Sequence, residues 1–118
     1  MSKQSTITLD IELDANQVPE SITWSAPDGG VDNEAAQAAM LSLWDAANKD
    51  TLRIDLWTKD MRMDDMKLFF HQTILAMADG FERATDEKEM SQDMRQFAHY
   101  FAEKLNLISS SKPDQSQD

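Results

Sequence analysis

Glu34-Ala35-Ala36-Gln37-Ala38-Ala39-Met40-Leu41-Ser42-Leu43-Trp44-Asp45 decides the fold, because its two halves argue for different structures. Glu34 to Ala39 are helix formers, whereas Met40 to Trp44 alternate as a strand does. The next residues favour strand for the second half. Ala46-Ala47-Asn48-Lys49-Asp50 resembles a hairpin loop, and Leu52-Arg53-Ile54-Asp55-Leu56-Trp57 alternates cleanly. The two alternating runs are therefore read as a hairpin, the third and fourth strands of the chain. The echo of Leu43-Trp44-Asp45 in Leu56-Trp57-Thr58 fits paired strands that want similar residues.

Upstream, Thr6 to Asp14 places Ile7, Leu9, Ile11 and Leu13 on one side of a half-buried strand. A turn over Asp14 to Gln17, and Pro19, separate it from a second short strand over Ile22 to Ala26. Pro27-Asp28-Gly29-Gly30 reads as a loop. Downstream the apolar period changes from two to about 3.6. Met66, Phe69, Phe70, Thr73, Ile74, Met77 and Phe81 make the stripe of a helix over Met63 to Ala84, with Asp64 and Asp65 in its first turn and Arg83 near its last. Met90, Met94, Phe97, Ala98, Phe101 and Leu105 repeat the spacing in a second helix. Strands followed by helices predict an α+β fold: a four-stranded antiparallel meander sheet with two amphipathic helices packed on one face. Residues 1–108 are expected to form one domain, and the polar, aperiodic 109–118 a disordered tail.

Composition narrows the function. A chain of 118 residues with 41% hydrophobic content can bury one core. Its formal charge is −11, from 22 acids against 11 bases, which argues against nucleic acid and anionic membrane as partners. More than half of that excess lies in residues 1–35, where Asp10, Glu12, Asp14, Glu20, Asp28, Asp32 and Glu34 face Lys3 alone. This reads as a solvated rim that guards a strand edge, or as a docking patch for a basic partner. There is no cysteine, hence no disulfide or thiolate site. No continuous apolar run follows Lys3, so no signal peptide is expected, and none is long enough to span a bilayer. The expected location is cytoplasmic.

No motif points to chemistry. His71 and His99 lie on different helices without HExxH spacing, and no serine sits in a GxSxG or SxxK context. The three glycines open no phosphate-binding loop. Asp28 to Glu34 is acidic enough to suggest calcium but lacks the EF-hand order of ligands. No catalytic residue, metal ligand or cofactor is assigned, and the chain is read as a non-enzyme that binds another protein, with homo-oligomerisation left open. Strand parity supplies the candidate site. Leu41, Leu43, Leu52, Ile54 and Leu56 share one face of the hairpin, while Met40, Trp44, Arg53, Asp55 and Trp57 share the other. If the aliphatic face is covered, the second face is a contact surface; the alternative tucks both indoles into the core edge. Trp24 shares its face with Ile22 and is read as core.

Several unbroken words in the chain look familiar. Val18-Pro19-Glu20-Ser21-Ile22-Thr23-Trp24-Ser25, Asp28-Gly29-Gly30, Leu52 to Met61, Phe69-Phe70-His71-Gln72-Thr73, Met77-Ala78-Asp79, Phe81 to Thr85 and Tyr100 to Leu105 resemble the gliding motility protein GldC family of the Bacteroidota, over residues 5–107. The resemblance implies a small cytoplasmic accessory factor of gliding motility, linked with the machinery that also underlies type IX secretion, and no active residue. By order of elements alone the fold also resembles the SecB-type export chaperones, which makes a chaperone or adaptor for unfolded or secreted clients the alternative.

Overall fold

Alternating sequence becomes five strands and the 3.6-period sequence becomes two helices in the computed structural model, which describes residues 3–108. The expectation for the 109–118 tail lies outside the described residues. The fold is α+β, with the strands in one compact unit up to Met61 and the helices in a second from Arg62 onward.

In the first unit β1 (Thr8–Leu13), β2 (Pro19–Ala26) and β3 (Val31–Ala36) form an antiparallel three-stranded sheet in the order β1-β2-β3. The second sheet is a hairpin of β4 (Ala38–Asp45) and β5 (Asp50–Trp57). A single four-stranded meander is thus corrected to three strands plus two. The additional strand is β3, whose Val31-Asp32-Asn33-Glu34-Ala35-Ala36 is poor in β-formers and was expected to be loop and helix-forming sequence. It extends because the turn delivers it to the free edge of β2. Gly30 takes the left-handed conformation at φ 77° after a 3₁₀ turn at Pro27–Gly29, and its N–H donates to the Pro27 carbonyl at 3.1 Å. A bulge then absorbs one extra residue between Trp24↔Glu34 and Ala26↔Val31. Asn33 holds it at φ 54°, its N–H donating to Ser25 Oγ at 2.9 Å.

The split between sheets falls where one strand changes partner. β3 and β4 are separated only by Gln37, and β2, the partner of β3, begins at Pro19, which has no N–H to extend a ladder. Beyond that point β5 takes over. Thr58, 2% exposed, donates its N–H to the Gln37 carbonyl at 2.8 Å, and the Lys59 N–H donates to the Pro19 carbonyl at 3.1 Å. The core of this unit centres on Ile22, 1% exposed, which lies on the middle strand opposite Ile11 and Ala36. Trp24, Leu9 and Ile11 are half-buried around it, while Ile7 and Leu13 are exposed.

Asp14 ties the β1–β2 turn together. Its Oδ1 accepts the N–H groups of Asn16 and Val18 at 2.8 and 3.0 Å, and its Oδ2 lies 2.8 Å from Lys59 Nζ. The Lys59 ammonium first, and the Val18 N–H next, hold the Asp14 carboxyl at about 2, below its ordinary 3.8. A depressed acid contributes stability that is present above its ordinary value and is lost as pH falls through the folded value. The thermal midpoint of the wild-type chain is therefore expected to keep falling between about pH 4 and pH 2. Asp14→Asn should start lower at pH 5 and show a shallower slope across that window in a calorimetric pH series.

In the second unit α1 (Met63–Thr85) and α2 (Lys88–Lys104) pack on each other. Asp86, in the left-handed conformation at φ 59°, closes α1 with an N–H to the Glu82 carbonyl at 2.8 Å, leaving a connection too short for anything but an antiparallel pair. The fully buried residues are small: Ala78, Ser91, Ala98 and Ala102. Arg95 of α2 reaches Asp79 and Glu82 of α1 at 2.9 and 2.8 Å, and these two carboxylates raise its pKa further. The predicted stripes appear with their rims in solvent. Met66, Phe69, Ile74, Phe81, Met94 and Phe101 are half-buried, whereas Phe70, Met77, Met90 and Phe97 are exposed.

Candidate functional site

The hairpin follows from two alternating runs joined by a turn that its own side chains stabilise. Asp45 Oδ1 accepts the Ala47 N–H at 3.1 Å, its Oδ2 accepts Asn48 Nδ2 at 2.8 Å, and Lys49 closes the turn at φ 51°. The Asn48 side chain is the main reason that the Asp45 carboxyl is held below its ordinary value. Register then fixes the faces. Met40 lies opposite Asp55, Ser42 opposite Arg53, Trp44 opposite Thr51, and Trp57 opposite Ala38. Met40, Trp44, Arg53, Asp55 and Trp57 therefore share a face, as strand parity predicts.

Both indoles are exposed, Trp44 at 66% and Trp57 at 54%, and the alternative in which they seal the core edge is not what the structure contains. Between them runs a polar bridge. Arg53 donates from Nη1 to Ser42 Oγ at 2.8 Å and from Nη2 to Asp55 Oδ1 at 2.6 Å, so its charge is held flat along the strands. Met40 is half-buried. The indoles do not form one cluster: Thr51, opposite Trp44, is six residues from Trp57, which puts the rings at the two ends of the face, roughly 20 Å apart along the strands.

Two features escaped the sequence. Trp57 lines a shallow groove with Val18, Pro19 and Leu56, which the Lys59–Asp14 tie draws to the end of β5. No local signal links Val18 to Trp57, because the link depends on a contact spanning 45 residues. The second feature is a correction. The aliphatic face was expected to be covered, yet Leu41, Leu43, Leu52 and Ile54 are 41%, 56%, 55% and 53% exposed, so the hairpin presents apolar side chains on both faces.

Among the described residues no three His, Cys, Asp or Glu side chains converge as metal ligands, the Asp28 to Glu34 segment included. His99 pairs with Glu103 at 3.2 Å on the surface of α2, and His71 is half-buried on α1. No described helix is long and apolar enough to cross a membrane.

Comparison with curated proteins and with solved structures finds no match. A family model described as "Gliding motility-associated protein GldC-like" matches residues 19–107, which takes in β2 to the end of α2 and every residue of the indole face. On that match, covering most of its length, the chain belongs to the GldC-like family of gliding motility-associated proteins.

Proposed function

We propose that this chain is a non-enzymatic, cytoplasmic accessory protein of gliding motility that acts by binding another protein of the gliding or secretion machinery through the indole face of the β4–β5 hairpin. The exposure of Trp44 and Trp57 on one face, with the Arg53–Asp55 pair laid between them, carries the reading. Tryptophan and arginine are enriched among residues that dominate binding energy, since each offers a large contact area with a directional polar group. Spacing the rings at opposite ends suits an elongated partner that touches both. The test is a crosslinking pull-down from gliding cells with tagged wild type, Trp44→Ala and Trp57→Ala. Each substitution is expected to cut recovery of the crosslinked partner about tenfold, the loss typical of a hot-spot side chain. Recovery unchanged in both variants removes the indole face as the site.

The aliphatic face favours a second reading. Four exposed branched side chains, Leu41, Leu43, Leu52 and Ile54, offer an unfolded client a greasy strip of the kind a holding chaperone uses. In that case the purified chain suppresses aggregation of a chemically denatured client at stoichiometric ratio, and Leu43→Ser with Ile54→Ser abolishes the effect. A folded partner recovered in the pull-down with no aggregation suppression leaves the first reading standing alone.

A further inference from the structure

We propose that the free edge of β4 pairs antiparallel with β4 of a second copy of this chain, about a twofold axis through Leu41, joining two hairpins into one four-stranded sheet. β4 is bonded to β5 on one side only, and no described strand occupies its other side, where every second residue turns its N–H and C=O. Such an edge invites another strand unless charge blocks it. The other border strands are blocked: β1 carries Asp10 and Glu12, β3 carries Asp32 and Glu34, and β5 carries Asp50, Arg53 and Asp55. From Ala38 to Trp44 the β4 edge has no charge at all. In a chain of net charge −11, it is a stretch where two copies can meet without opposing carboxylates.

Side-chain size selects a second copy over an arbitrary strand. Reversed about Leu41, the segment Ala38-Ala39-Met40-Leu41-Ser42-Leu43-Trp44 sets Trp44 against Ala38, Leu43 against Ala39, Met40 against Ser42, and Leu41 against itself. Each large residue meets a small one except at the axis, so the edge is complementary to its own reverse, as an isologous interface requires. The pairing gives partners to the outward N–H and C=O groups of β4 and sets its side chains beside those of a second strand on each face. It has a consequence for the indoles. Trp44 of one copy lies beside Ala38 of the second, whose cross-strand neighbour is Trp57, so rings about 20 Å apart within a chain come to two strand spacings, roughly 10 Å, between chains.

The absence of cysteine from the whole chain makes the register testable. Light scattering on the wild-type protein should give twice the 13.4 kDa chain mass at micromolar concentration and fall toward the single-chain mass on dilution. With Leu41→Cys, a short thiol–thiol crosslinker should trap the dimer at least about tenfold faster than with Ser42→Cys, since directly opposed Cβ atoms lie about 5 Å apart and the offset pair lies farther. Amide exchange on the unsubstituted chain should show β4 protected at high concentration and exposed on dilution, a readout that stands even if a cysteine variant fails to fold. A mass that stays at 13.4 kDa, equal crosslinking by the two cysteines, or β4 exchange independent of concentration overturns the proposal. None of these readouts depends on the cellular partner, so failure here and failure of the pull-down are distinguishable.

Discussion

Ile22→Ala is expected to lower unfolding free energy by about 2–5 kcal/mol, the range for truncating a buried aliphatic side chain to alanine. Ile22 is 1% exposed on the middle strand of the β1-β2-β3 sheet, between Ile11 on one neighbour and Ala36 on the other. No other large apolar side chain among the described residues is so completely enclosed. A domain of this size holds roughly 5–15 kcal/mol in total, so the variant should lose a large share of it and unfold at a clearly lower urea midpoint. Urea titration followed by tryptophan fluorescence measures it. Ile11→Ala, at a half-buried position on the edge strand, should cost clearly less. Equal effects would show that enclosure on the middle strand does not set the core.

The second large effect lies in the helix pair, where small residues set the fit. Ala98 is fully enclosed, as are Ala78 on α1 and Ala102 one turn further along α2. Ala98→Leu adds three carbons where no space exists, which forces the helices apart or the side chain off its rotamer at about 1–3 kcal/mol. Gln96→Leu, at an exposed position on the same helix, should stay within about 0.5 kcal/mol. Thermal melts of both variants followed at the helical circular dichroism band test the contrast. A neutral Ala98→Leu would mean that α1 and α2 meet loosely at this point.

The candidate face was legible to the degree that it rests on parity. Met40, Trp44, Arg53, Asp55 and Trp57 share a side because strand side chains alternate, and that needs no partner. The exposure of Trp44 and Trp57, the 20 Å between them and the groove of Val18 and Pro19 beside Trp57 were not legible. Each depends on register or on the Lys59–Asp14 contact between residues distant in the chain. The exposure of Leu41, Leu43, Leu52 and Ile54 was not legible for a related reason: hydropathy says that these side chains would gain from burial, and does not say what they meet.

Local sequence by itself determined the type of four strands and both helices and their approximate positions, because periods of two and 3.6 and the turn residues at Pro27 to Gly30 and Ala46 to Asp50 act over a few residues. β2 starts three residues before the expected Ile22, at Pro19, which stands at the first position of the strand and pairs with Leu13. Tertiary structure alone decided that Val31–Ala36 is a strand, that the ladder passes from β2 to β5 at Gln37, and that β5 is the one strand bonded to β4 among the described residues. Backbone N–H and C=O groups are the same in every residue but proline, so which strand of the same chain they pair with depends on where turns and bulges deliver it, which the local period of the side chains does not record.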